Sequence, residues 1–447
     1  MALIDPYTKP LTAQQAAHLI RRATFGPSPT QIKQFAGQTS QAAVQSLLVA
    51  PALPVPPIDP LTAKPFNTLA FDNAQQGAWQ NATKYWWLGL MVNQGVTIRE
   101  KMVLFWQNHF VSTFAEVSDA RYIYRQNTVL RRHALGNFRS FIIEMTKDPA
   151  MLRYLNGNQN VVGKPNENYG RELQELFTIG VGNYTEDDVK AAARVLTGWN
   201  YTNYWQKDST SFSTTFTLTR HDTTNKAFST HYNNTTITGR NTATAGDDEL
   251  TDLIAMLLAH PQTAKFICRK LYRWYVNPQV TQAIEDTVIA QLAVFFASPA
   301  NNFAIQPLLV KLLTSQHSFE EANRGCIVKS PAELIVGSIR FFGQPVPAIT
   351  TDFVAFDKLM GFMQWRMDQL QMNTLDQPTV FGYEPYYQTG YSKNWINTTT
   401  VAMRNEFTDA LIWRWMEIKP GYNLGIDVLA WATSLQANFN NVPSSTN

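Results

Sequence analysis

The chain has 447 residues, and 37 basic against 34 acidic side chains leave a formal charge of +3, which excludes a basic-arm nucleic-acid binder and gives no pull toward anionic lipid. Charged residues are 16% and AVILMFWYC residues 45%, a balance that excludes disorder and demands a large buried interior. Two cysteines, Cys268 and Cys326, have no CxxC spacing, so neither a disulfide framework nor a zinc knuckle is implied, and both read as buried thiols. The longest apolar runs, 253–259 and 292–297, fall short of the roughly 20 residues a bilayer requires, so no membrane span is expected. The opening MALIDPYTKP has no basic n-region and no apolar h-region; no signal peptide is read, which leaves the cytoplasm or co-export with a partner.

Helix punctuation recurs along the chain. Thr12 with Gln15 forms a capping-box pattern closed by Gly26, and Ser28-Pro29 opens a second helix that Gly37 ends. Six prolines between 51 and 65 forbid helix or central strand and predict an extended strap. Helical periodicity resumes over 79–93, 98–110, 121–135 and 137–146. The segments 167–177 and 185–196 read as an antiparallel pair, the second with Asp188 at its capping-box position. Alternating β-branched and aromatic residues over 211–238 predict a β-hairpin. Helices return over 249–258, 261–275 and 330–342, the last opened by a Ser330/Glu333 box; an irregular stretch, 372–394, precedes a final helical run over 399–416.

The expected fold is therefore mainly α, a large multi-helix, bundle-like single body with a small β-hairpin insertion. Within that single domain, 1–50 holds amino-terminal helices, 51–70 the proline-rich strap, 71–206 the central core, 207–245 the insertion and 246–447 the carboxy-terminal helical part.

Several strings resemble a bacterial family catalogued as domain of unknown function 1800. They are AHLIRRATFGPSP (17–29), FWQNHF (105–110), ALGNF (134–138), DPAMLRYLN (148–156) and NENYGRELQELFTIGVGNYTEDDVKAAARVLTGW (166–199), followed by HD (221–222), HPQTAKFICRKLYRWYV (260–276) and SPAELIVGSIR (330–340). Two strings depart from the family pattern: Gln107 stands where FWHNHF has its first histidine, and PTVFGY (378–383) replaces a PNVKGW-like string. The resemblance implies no particular reaction. It does imply a partner, because members lie beside a second family that resembles alkaline-phosphatase-type hydrolases and carries export signals.

The residues themselves suggest where chemistry could sit. On one helical face Glu172 and Glu175 project within about 60° of each other, with Asn168 a turn earlier and Arg171 between. Imidazole joined to two carboxylates is the ligand mixture of metal centres built between helices, so Glu172, Glu175, His109 and His221 are candidates for a divalent metal or for proton transfer. Asp222 could orient a neighbouring imidazole as a general base, and Arg171, Asn168, Trp106 and Trp199 are candidate binding residues. Against this stands a plainer arrangement in which Arg131, Arg132 or Arg194 neutralises the glutamates in structural ion pairs. His18 falls on an apolar face and reads as structural, as do His133, His231, His260 and His317.

No GxSxG, GxGxxG, P-loop, HExxH or EF-hand loop is present. Two aromatic clusters, Trp199, Tyr201, Tyr204 and Trp205, then Tyr383, Tyr386, Tyr387, Tyr391 and Trp395, either fill core or present a glycan-stacking surface. The sequence thus holds two functions open: an enzyme with a His/Glu site between core helices, or a non-catalytic scaffold or glycan-binding protein.

Overall fold

A computed structural model describes residues 3–207, 213–387, 391–414 and 416–435. The expected capping boxes are formed. Thr12 caps α1 (Ala13–Ala23), Ser28 caps α2 (Pro29–Phe35), and α3 (Ser40–Leu47) follows from Thr39. From Pro51 to Pro65 the chain forms no helix, and two indoles of α4 (Gln76–Asn93) pin it down. Trp86 Nε1 donates to Val55 O at 2.7 Å, and Trp79 Nε1 donates to the buried Asp59 carboxylate at 3.0 Å. The proline strap is thereby fastened to the core by hydrogen bonds that prolines cannot supply themselves.

The centre is built from α5 (Arg99–His109), α6 (Phe114–Val117), α7 (Ala120–His133), α8 (Phe138–Thr146) and α9 (Pro149–Tyr154). Next come α10 (Asn168–Glu175) and α11 (Glu186–Val195), packed on each other as the expected pair. Their close approach depends on Gly170, where a Cβ would lie 3.1 Å from Ala193 N and 3.2 Å from Val189 O.

The hairpin insertion is more divided than expected. Strand β1 (Trp199–Tyr201) pairs antiparallel with β2 (Thr214–Phe216), and a second two-stranded ribbon joins β3 (Lys226–Ala227) to β4 (Thr236–Ile237). Residues 211 and 212, at the start of the anticipated strand, lie outside the described residues.

Helices α12 (Ala245–Ala259) and α13 (Pro261–Tyr275) follow, with His260 at the junction capping α13. A short α14 (Gln282–Ile284) passes through a π turn into α15 (Ala290–Ala297), and α16 (Ile305–Leu313) packs on α15 and α3. Next come α17 (Pro331–Phe341), α18 (Phe353–Gln369), the short α19 (Glu384–Tyr387) and α20 (Thr398–Trp413). The final helical run stops at Trp413 rather than continuing to 416. Arg414 turns left-handed (φ 55°), and β5 (Met416–Lys419) pairs with β6 (Tyr422–Leu424) before α21 (Val428–Leu435).

The chain is mainly α with small β-hairpins, and a contiguous apolar core extends through the described residues from Ile4 to Leu424. No helix among them is long and apolar enough to cross a membrane. Of the second aromatic cluster, Tyr383 and Trp395 belong to this core and Tyr386 packs against it: Tyr386 meets Trp274 and Trp395, and Tyr383 is buried with its hydroxyl on Asn373 O. The Tyr387 and Tyr391 side chains lie outside the described residues. In the first cluster Tyr204 stacks on Tyr122 and Trp205 and donates to Val117 O at 2.6 Å, which pins the loop after β1.

Candidate active site

His109 ends α5, where α10 and α13 also meet. Its neighbour Asn108 accepts a hydrogen bond from Tyr383 N at 2.7 Å, which docks the 378–383 string onto α5. Gly382 (φ 86°) allows this approach, since a Cβ there would fall 2.3 Å from Asn108 Oδ1. The result is a cavity of about 300 Å3 walled by His109, Glu175, Phe266, Lys270, Arg273 and Phe381. The walls come from three strings of the family resemblance, 105–110, 166–199 and 260–276, and from the departing 378–383 string.

The imidazole is buried, with Nε2 3.2 Å from Phe177 O and Nδ1 2.8 Å from Lys270 Nζ. A carbonyl can only accept, so Nε2 carries the proton and Nδ1 is the acceptor for the lysine. Burial, then the Lys270 charge, holds the His109 pKa well below its ordinary range, and the ring is neutral. Burial also pulls the Lys270 amine down to about 7, with Arg273 adding to the effect. Arg273 is lowered to about 10 by burial and by Arg269, which itself is paired with Glu285.

Of the two glutamates, Glu175 lines the cavity and accepts from the Tyr184 hydroxyl. The Glu172 carboxylate has no hydrogen-bond or ion-pair partner among the described residues. Desolvation and the neighbouring Glu175 charge raise it to about 7. The guanidinium groups that could have neutralised the pair are committed elsewhere: Arg131 to Glu100, Arg132 to Glu144 and Arg194 to Asp222.

The remaining sequence candidates separate from this cavity. His221 is buried with Nδ1 2.9 Å from Thr197 O and Nε2 3.2 Å from Glu249, whose other oxygen pairs with the buried Lys226 at 2.5 Å. It shares no hydrogen bond or ion pair with Glu172 or Glu175. Asp222 does not hold an imidazole; its oxygens take Arg194 Nε at 2.7 Å and Thr224, which depress its pKa against the cost of burial. The physical reason is local. The turn after His221 directs the Asp222 carboxylate to the nearest guanidinium and to its own backbone, as an Asx turn does.

Arg171 grips Glu186 with two bonds at 2.7 and 2.8 Å, and Asn168 is exposed on the first turn of α10. Trp106 is fully buried, donates to Ala134 O at 3.1 Å and packs on Phe110, Phe138 and Phe141. Trp199 is buried against Phe216 with Lys147 over its ring. Gln107, the departure from the family string, turns Nε2 toward Ser112 O at 3.4 Å. Among the described residues no three His, Cys, Asp or Glu side chains gather as a metal site would require. At His109 itself both ring nitrogens are already engaged, by a carbonyl and an amine.

The residue the sequence reading passed over is Lys270. It lay inside the HPQTAKFICRKLYRWYV string, three residues after Ile267 and four before Trp274, both buried. A cation on an apolar helical stripe was the available signal.

A mainly helical protein with a buried amine–imidazole pair opening on a cavity is what the fold and site define. The chain belongs to the protein family of unknown function DUF1800, whose model matches residues 18–444. Neither a curated protein nor a solved structure matches it.

Proposed function

We propose that the protein is an enzyme that moves a proton on a small anionic substrate, with Lys270 as the base, in the cavity it shares with His109 and Glu175. The observation that carries this reading is the 2.8 Å contact between Lys270 Nζ and His109 Nδ1 at the wall of that cavity. A neutral amine that donates one N–H to imidazole keeps a lone pair for the cavity, and an amine titrating near 7 is suited to give and take protons at neutral pH. His109, anchored by Phe177 O, positions the amine. Arg273 on α13 supplies positive charge for an anion, and Phe266, Leu176 and Phe381 give the cavity apolar walls. Glu175, held by Tyr184, places a carboxylate at the cavity wall from the opposing helix. The acid/base arm of the sequence reading is preferred to the metal arm because the His109 lone pair is spent on the amine.

Trace acetylation with acetic anhydride, followed residue by residue by mass spectrometry across pH, tests the reading. Lys270 is expected to half-react near pH 7, while exposed lysines follow the usual range near 10.4. A Lys270 that titrates with the exposed lysines, or that stays unreacted at every pH, overturns it.

A further inference from the structure

A second cavity, of about 540 Å3, shares no lining residue with the first. It lies where the end of α1 crosses α17, so it brings together the AHLIRRATFGPSP and SPAELIVGSIR strings, which the proposed site does not use. The crossing is tight and fixed. Gly26 takes φ 123°, a Cβ on Gly337 would sit 2.5 Å from Phe25 O, and Arg340 Nε donates to Gly26 O at 3.0 Å.

Four cations, Arg21, Arg22, Arg324 and Lys329, line this cavity against a single carboxylate, Glu333. That carboxylate is already spent, since it pairs with Lys101 and takes Ser330 N at 2.8 Å as the capping box of α17. Arg22 uses Nη2 on Asn323 O at 3.1 Å and Cys326 Sγ at 3.4 Å. Arg324 meets Gln14 and the highly exposed Glu321. The Arg21 and Lys329 side chains have no hydrogen-bond or ion-pair partner among the described residues. The charges act on one another: burial, then Arg22 and, to a smaller degree, Arg324 and Arg21, brings His18 at the cavity wall down to about 4. Beside these cations the walls are aromatic and aliphatic, from Phe25, Phe341, Phe342 and Ile327.

Mutual repulsion around a preformed hollow is a cost that an anion would relieve, and guanidinium pairs match phosphate geometry. A monoanion would leave most of the cations uncompensated. We infer that this cavity binds a small phosphomonoester whose dianionic head meets Arg21, Arg22 and Lys329 and whose flat apolar body lies against Phe25, Phe341 and Phe342.

Titration calorimetry with phenyl phosphate, inorganic phosphate and benzoate, at about 0.15 M salt to suppress diffuse attraction, tests the inference. Phenyl phosphate is expected to bind one per chain and more tightly than either fragment. Arg21→Gln with Lys329→Gln is expected to weaken it at least tenfold, since two charge-assisted contacts are lost. Both side chains are exposed, so the fold should survive; Lys329→Gln alone is read if the pair does not fold. Lys9→Gln with Lys358→Gln removes the same charge away from the cavity and should leave affinity unchanged. The inference is overturned by no binding at about 10 mM phenyl phosphate, by equal affinity for inorganic phosphate, or by equal weakening in both double variants.

Discussion

Glu172 is the side chain whose environment speaks most directly about charge. Burial and Glu175 raise it from 4.5 to about 7, so between those values the folded chain holds a proton that the unfolded chain releases. Stability therefore falls as pH rises through that window, and the cost is complete above it. Glu172→Gln is expected to match the parent near pH 4 and to exceed it by about 1 kcal/mol at pH 8, read from urea midpoints. Equal stability at pH 8 would contradict the raised pKa. The helical spacing of 172 and 175 was legible in the sequence. What could not be read was which partners come from outside the helix: His221 lies in another network, and the amine that meets His109 stands 161 residues away. Ring nitrogens are assigned by the groups facing them, and those are set by tertiary packing.

At the scale of elements, legibility followed the caps. Helices announced by a capping box, at Thr12, Thr185 and Ser330, and the one announced by Ser28-Pro29, start where those signals placed them. Helices α16 and α18 were not read from sequence, and neither has a side chain bonded at its N-cap. They are held by packing, α18 against α4 and α16 against α3, which leaves no local mark. The Lys101–Glu333 pair joins the first group to the core, because Glu333 both caps α17 and binds α5. Lys101→Met is expected to cost about 3–5 kcal/mol, since it strands a buried carboxylate. Adding Glu333→Gln should return much of that loss, leaving mainly the weakened cap. A double variant no more stable than Lys101→Met would show that the loss comes from packing around Phe25 and Trp274, which the lysine also covers, rather than from charge.

Across the whole molecule the shifted groups partly cancel in acid and reinforce in mild alkali. From about pH 4 to 6.5 His18, depressed to about 4, makes stability rise with pH, while Asp148, raised to about 6 by burial, and Glu172 make it fall. The profile there should be shallow. Above 7 Lys270 dominates: the unfolded amine keeps its proton to 10.5 whereas the folded one has lost it at about 7, so stability climbs with pH. The climb ends when unfolded tyrosines and cysteines ionise, because Cys268, Tyr169 and Tyr154 keep their protons in the fold through burial. Maximum stability is thus expected between about pH 8 and 10, on the alkaline side of the usual range. Lys270→Met removes the rising limb: it should be the more stable chain at pH 6–7, and the gap should close toward pH 10. Melting temperatures of both chains from about pH 5 to 11 decide the matter. A parent maximum below 7, with the variant running parallel at every pH, would mean that the Lys270 amine is charged in the fold and is no base for the cavity.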